Sequence, residues 1–131
     1  MAIEKMVKKV MIVDDKEDSR VLAAKVLKRH GYEIVGASSG EEAISLAGRE
    51  IPDLILMDVR LPGGISGLEA TQRIKATPEL RHIPIVAMTA SVRPEDQMKA
   101  LNEGCDGFIP KPIDIDALPG QVAGFINRGM G

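Results

Sequence analysis

Leu54-Ile55-Leu56-Met57 is an unbroken apolar run that stops at Asp58, with Val59-Arg60-Leu61-Pro62-Gly63-Gly64 behind it. Alternation of apolar and polar residues would mark a strand with one wet face. A continuous apolar run marks a strand covered on both faces. Pro62 and the glycines then turn the chain into a loop. The same signature recurs on either side. Val10-Met11-Ile12-Val13 stops at Asp14-Asp15, Ile85-Val86-Ala87-Met88 stops at Thr89, and Gly107-Phe108-Ile109 stops at Pro110-Lys111-Pro112. Glu33 to Ala37 is a further, less apolar strand candidate.

Amphipathic stretches separate these runs. From Asp18 to His30, Leu22, Ala23, Val26 and Leu27 share one helical stripe, and Gly31 ends the helix. Ser39-Gly40-Glu41-Glu42 and Ser66-Gly67-Leu68-Glu69 are capping boxes, opening helices that run to about Arg49 and to just before Thr77-Pro78. Pro94-Glu95-Asp96 opens another, with a thin stripe of Met98 and Leu101 and an end at Gly104. Leu118, Val122, Phe125 and Ile126 mark a last helix. Strand and helix thus alternate five times, the pattern of a parallel sheet with helices on both faces. An open doubly wound sheet of five strands predicts the flavodoxin-like order 2-1-3-4-5 with five helices, and ligands beyond the carboxyl ends of the strands.

The chain has 131 residues, the size of one domain, expected to span 1–131 with a core of about 8–128. Seventeen basic and nineteen acidic side chains leave a net charge of −2, so composition gives no case for nucleic-acid binding. Aromatic residues make up 2% (Tyr32, Phe108, Phe125), too few for a base-stacking surface. Cys105 is the one cysteine, which excludes an internal disulfide and a cysteine zinc site and suits a small buried side chain. Apolar runs of four residues fall far short of the roughly 20 that span a bilayer, so no membrane insertion is expected. Met1 to Lys9 lacks the apolar stretch of a signal peptide, and a cytoplasmic location is expected.

Four of the five strand ends carry chemistry: Asp14 and Asp15, Asp58, Thr89, and Lys111. Each alone has an ordinary explanation, as turn former, cap, strand residue or solvated charge. Their coincidence at one sheet edge does not. Three carboxylates close together repel, a hard divalent cation such as Mg²⁺ relieves that, and Lys111 neutralises further charge. An acidic nucleophile beside a metal, a hydroxyl and a cation is equipped to receive a phosphoryl group. His30, beside Gly31 at a helix end, and His82, alone in a loop, are expected to take no part.

Val13-Asp14-Asp15, Leu56-Met57-Asp58-Val59-Arg60-Leu61-Pro62, Met88-Thr89-Ala90 and Phe108-Ile109-Pro110-Lys111-Pro112 together resemble the receiver domain of two-component response regulators, over essentially the whole chain. The resemblance implies Asp58 as phosphoacceptor. It implies a Mg²⁺ (or Mn²⁺) site of Asp15 directly, Asp14 through water, Asp58 and the backbone carbonyl of Arg60. It further implies Thr89 as the switch hydroxyl, Lys111 as the phosphate contact, Phe108 as an aromatic that changes rotamer on activation, and a cis Lys111-Pro112 bond. The implied partners are a sensor histidine kinase or histidine phosphotransfer protein and a downstream protein target. Twenty residues follow Lys111, room for one helix, so a stand-alone domain acting through protein contacts is expected.

Two departures from the family pattern stand out. Pro62-Gly63-Gly64-Ile65-Ser66-Gly67 reaches its glycine one residue late, with Ser66 where an acid or amide is usual, which predicts a longer, more mobile loop beside the site. Pro119-Gly120 near the start of the last helix predicts either a late start capped by Asp116 or a kink. Two other readings keep the fold. An aspartyl-nucleophile phosphatase usually needs a second Asp two residues after the first, where this chain has Arg60; a phosphorylation-independent interaction module leaves the intact acid, hydroxyl and lysine set unexplained.

Overall fold

The computed structural model describes residues 7–130. Most of the Met1–Lys9 segment, on which the signal-peptide expectation rests, lies outside the described residues. The elements are β1 (Lys9–Val13), α1 (Glu17–Arg29), β2 (Glu33–Ala37), α2 (Gly40–Glu50), β3 (Leu54–Asp58), α3 (Gly67–Ala76), β4 (Ile85–Thr89), α4 (Pro94–Asn102), β5 (Gly107–Pro110) and α5 (Leu118–Met130). The strands pair in parallel in the order β2-β1-β3-β4-β5, as the sequence predicts.

Each central strand feeds two cores by alternation. Val10 and Ile12 of β1, Leu54 and Leu56 of β3, and Val86 and Met88 of β4 pack with Ala23 and Leu27 of α1 and Leu118, Val122 and Ile126 of α5. Met11, Val13, Ile55, Met57 and Ile85 point the other way, onto Ala43 and Ala47 of α2 and Ala70 and Ile74 of α3. This double coverage is why the runs read as continuously apolar. A small third cluster of Leu68, Ala87, Ala100 and Cys105 lies toward α4.

Register aligns the strand ends. Val13 pairs with Met57, Asp58 with Met88, and Thr89 with Pro110, so Asp14, Asp58, Thr89 and Lys111 leave the sheet at one edge.

The local signals work with some shifts. Ser39 and Ser66 cap their helices, accepting from Glu42 N and Glu69 N at 3.1 Å each. The Glu42 carboxylate, however, takes the N–H of Ser38, at 2.6 Å. Three expectations need correction. Met98 and Leu101 do not face the sheet; they are exposed, and Ala100 is the buried residue of α4. In nine residues with few apolar positions, a turn of one residue moves the stripe by about 100°. Leu22 is exposed as well, while Ala23 and Leu27 carry the inner face of α1. The carboxylate at the start of α5 is Asp114, not Asp116: its Oδ1 accepts from Asp116 N at 3.0 Å and Ala117 N at 3.2 Å. Pro119 then falls in the first turn of α5, where its missing N–H costs nothing. Among the described residues, no helix is long and apolar enough to cross a membrane.

Candidate functional site

Three strands end in the same local device. The backbone N–H two residues on bonds back to the side-chain oxygen: Lys16 N to Asp14 Oδ1 at 2.9 Å, Arg60 N to Asp58 Oδ1 at 3.0 Å, and Ser91 N to Thr89 Oγ1 at 3.0 Å. Such turns are what short Asp and Thr side chains favour once a strand runs out of partners. Here they also orient each chemical group at the mouth of the sheet.

Lys111 closes the arrangement. Its backbone N–H bonds to Thr89 O at 2.9 Å, which extends the β4–β5 pairing by a step. Its Nζ donates to Asp14 Oδ2 at 3.0 Å and Asp58 Oδ2 at 3.1 Å. The Lys111-Pro112 bond is cis, as the family resemblance implies. Asp14 is 1% exposed and Asp58 5%, so two almost fully buried carboxylates share one ammonium. Asp14 is held further by its N–H on Ala37 O at 3.0 Å and by Arg20 Nη1 on its carbonyl at 2.7 Å. Asp15 remains exposed beside them, and one carboxylate oxygen from each of Asp14, Asp15 and Asp58 falls within 4.8 Å of the others. A cluster of hard oxygen donors with excess negative charge suits a small divalent cation.

Burial pushes the Asp58 carboxyl above the usual carboxylate range. The Arg60 N–H and Lys111 pull it back, and the Asp14 charge adds to the rise. For Lys111 burial works against the charge, but the bonds to Asp14 and Asp58 outweigh it and hold the ammonium above its ordinary value. Lys111 is therefore charged throughout the physiological range.

The floor of the site is kept close by Gly67. A Cβ there would run into the carbonyl of Asp58, and Gly67 N bonds to Val59 O at 3.2 Å. Only glycine allows α3 to start this near the acceptor strand. The loop between them is less free than its length suggests. Leu61 is buried, Ile65 packs against the α2–α3 core, and Ile65 N bonds to Glu41 Oε2 at 3.2 Å. The expected mobile span has anchors along its length.

Above the acceptor lies a cleft of about 720 Å³. Its polar lining includes Asp15, Asp58, Arg60, Thr89 and Lys111. Its apolar lining includes Leu22 of α1 and Pro112, Ile113 and Ile115 after β5, which the sequence reading did not assign. The signal was there in Leu22 and Ile115, large apolar residues on surface segments. Phe108 does not line the cleft; half-buried, it packs against the α4 cluster together with Val59, which does line it. His30 caps α1, and His82 is exposed outside the cleft. Cys105 is buried as expected, which pushes its thiol up to about 11.

Comparison with known proteins gives the same picture. The response regulator receiver domain model matches residues 10–123. The polar-differentiation response regulator DivK of Brucella ovis is 44% identical over 110 residues, 84% of this chain and 89% of that protein. Among solved structures, a response regulator from Chloroflexus aurantiacus is 30% identical with a TM-score of 0.86, covering 92% of this chain and 98% of that one. The chemotaxis response regulator CheY4 of Vibrio cholerae is 27% identical with a TM-score of 0.87, covering 92% and 99%. With its sheet order, its acidic edge and these relatives, the chain belongs to the response regulator receiver domain family of two-component signalling.

Proposed function

We propose that Asp58 accepts a phosphoryl group from a phosphohistidine of a sensor histidine kinase or histidine phosphotransfer protein, and that the acyl phosphate switches the protein's contacts. The observation that carries this reading is Lys111 Nζ, 3.0 Å from Asp14 and 3.1 Å from Asp58 at the base of an open cleft. A carboxylate oxygen of Asp58 attacks phosphorus, a P–O bond forms, the P–N bond breaks, and the imidazole leaves. Lys111 is placed to neutralise the transferring oxygens, and the Arg60 N–H fixes the rotation of the attacking carboxylate.

Asp15, Asp58 and the Arg60 carbonyl, with Asp14 through water, would hold Mg²⁺ or Mn²⁺, which supplies charge neutralisation at the phosphoryl oxygens. Asp15 and Asp58 line the cleft and Asp14 does not, which fits an indirect role for Asp14. After transfer, the Thr89 hydroxyl leaves Ser91 N and turns to the phosphoryl group, and Phe108 follows into the space released toward α4. A downstream protein reads that change on α4, β5 and α5. On this reading the chain is a switch rather than a turnover enzyme, assisting its own phosphorylation and dephosphorylation. It works in the cytoplasm and uses no nucleic acid.

Titration with Mg²⁺, followed by amide shifts, tests the site. Asp15→Asn is expected to weaken binding by at least about tenfold. Parental affinity in that variant would move the metal elsewhere.

A further inference from the structure

Glu41 lies in the first turn of α2, where an acid needs no explanation beyond the helix dipole. Its surroundings give it a more specific task. The loop from Arg60 to Ser66 contains Gly63-Gly64, the pair with the widest backbone freedom in the segment, and Gly63 sits at φ +79°. A fixed loop shape therefore needs a tie from outside. Among the described residues, Asp58 Oδ1 of β3 takes the loop's first N–H, that of Arg60, and Glu41 Oε2 is the side-chain atom from outside β3 that takes a loop N–H, that of Ile65 at 3.2 Å.

The fit around that bond is close. A Cβ on Gly64 would stand 2.6 and 2.8 Å from the two Glu41 oxygens. A Cβ on Gly40, beside Glu41, would stand 2.7 Å from Ile65 Cγ1 and 3.1 Å from Ile65 O. The loop and the α2 start are thus in close contact at two glycines: a methyl on Gly40 would press on Ile65 and its backbone carbonyl, while one on Gly64 would meet the flexible end of Glu41 and push its carboxylate aside.

The corner that carries Glu41 also braces the other half of the site, since Ala37 O accepts the N–H of Asp14 just before α2 begins. At its near end the loop reaches the site through Arg60, whose N–H holds Asp58 Oδ1. At its far end it closes through Gly67 N on Val59 O. We propose that Glu41 is a positioning residue for the phosphoryl and metal site, holding the β3–α3 loop through Ile65 so that Arg60 keeps its place against Asp58. This rests on the function proposed above and deepens it. The longer loop is compatible with a defined site because α2 supplies the tie.

Glu41→Ala and Glu41→Gln separate the bond from the charge. In the full chain, Mg²⁺ alone is titrated against site amides, hydrogen exchange is followed at Ile65, and the phosphoryl lifetime is timed by intact mass after acetyl phosphate is removed. Glu41→Ala is expected to weaken Mg²⁺ by about three- to tenfold, below the range usual for a group bonded directly to a ligand. It is also expected to speed Ile65 exchange and to change the lifetime. Glu41→Gln keeps an acceptor oxygen and is expected to stay within about twofold of the parent. Parental Mg²⁺ affinity in Glu41→Ala, or a loss in Glu41→Gln as large as in Glu41→Ala, overturns the proposal while the site reading stands. A parent chain whose site amides ignore Mg²⁺ overturns the site reading and this proposal with it.

Discussion

α3 and α4 each follow a strand that ends at the site, β3 at Asp58 and β4 at Thr89, yet they are attached to the sheet in opposite ways. α3 starts on Gly67, against the acceptor's own carbonyl, and buries Gly67, Leu68, Ala70, Thr71 and Ile74. α4 buries Ala100 alone, and its large apolar residues Met98 and Leu101 face out at 59% and 45% exposure. Close packing resists displacement because any shift opens voids or creates overlaps. A helix resting on one alanine, within a four-residue cluster, meets little such resistance. The acceptor is thus on the fixed side of the molecule and the hydroxyl on the movable side. A local charge change at Asp58 can be converted into motion at α4 without loosening the platform that holds the carboxylates.

The contrast can be broken by substitution. Gly67→Ala should be the most damaging, because the added methyl meets the Asp58 backbone rather than a flexible side-chain tip. A loss of about 3 kcal/mol in denaturant unfolding is expected. A near-parental midpoint would mean that α3 can slide, and would remove the fixed side from the comparison. Lys111→Met should cost about 2 kcal/mol at neutral pH, since it leaves Asp14 and Asp58 buried without their shared cation.

The pH dependence of Lys111→Met follows from the carboxyls. Asp58 lies above its unfolded value in the parent, so its ionisation counts against the fold, fully above the folded pKa and not at all below the unfolded one. Without Lys111 that rise is larger. The variant should therefore approach the parent as pH falls through the carboxyl range; a gap that widens on acidification would contradict the electrostatic account. Leu101→Ala, on the exposed face of α4, should change stability by no more than about 0.5 kcal/mol. A loss near that of Gly67→Ala would show α4 to be as firmly seated as α3.

Strand positions and the site were legible for one physical reason. Parallel strands covered on both faces must be apolar throughout, so the first charged or hydroxyl residue marks the end of the strand, where such sheets bind ligands. Asp14, Asp15, Asp58, Thr89 and Lys111 could be read that way from four short runs. Helix faces were less legible. α4 has too few apolar residues for its stripe to be counted, so Ala100 was missed in favour of Met98 and Leu101. Leu22 belongs to a periodic stripe but lines the cleft. Asp114 and Asp116 differ only in which carboxylate reaches the α5 start, a matter of side-chain geometry. Ile51 ends α2 at φ 44°, a conformation that a β-branched residue gives no reason to expect. Glu41 acts across 24 residues through one backbone N–H, which no local pattern encodes.

The central claim is that Asp58 is the acceptor, and intact mass after incubation with acetyl phosphate and Mg²⁺ tests it most directly. The parent should gain about 80 Da, the mass of one phosphoryl group. Asp58→Asn should gain none while keeping a stability within about 1 kcal/mol of the parent, since it removes a buried charge and little volume. Phosphoryl incorporation at the parental level in folded Asp58→Asn would contradict the account.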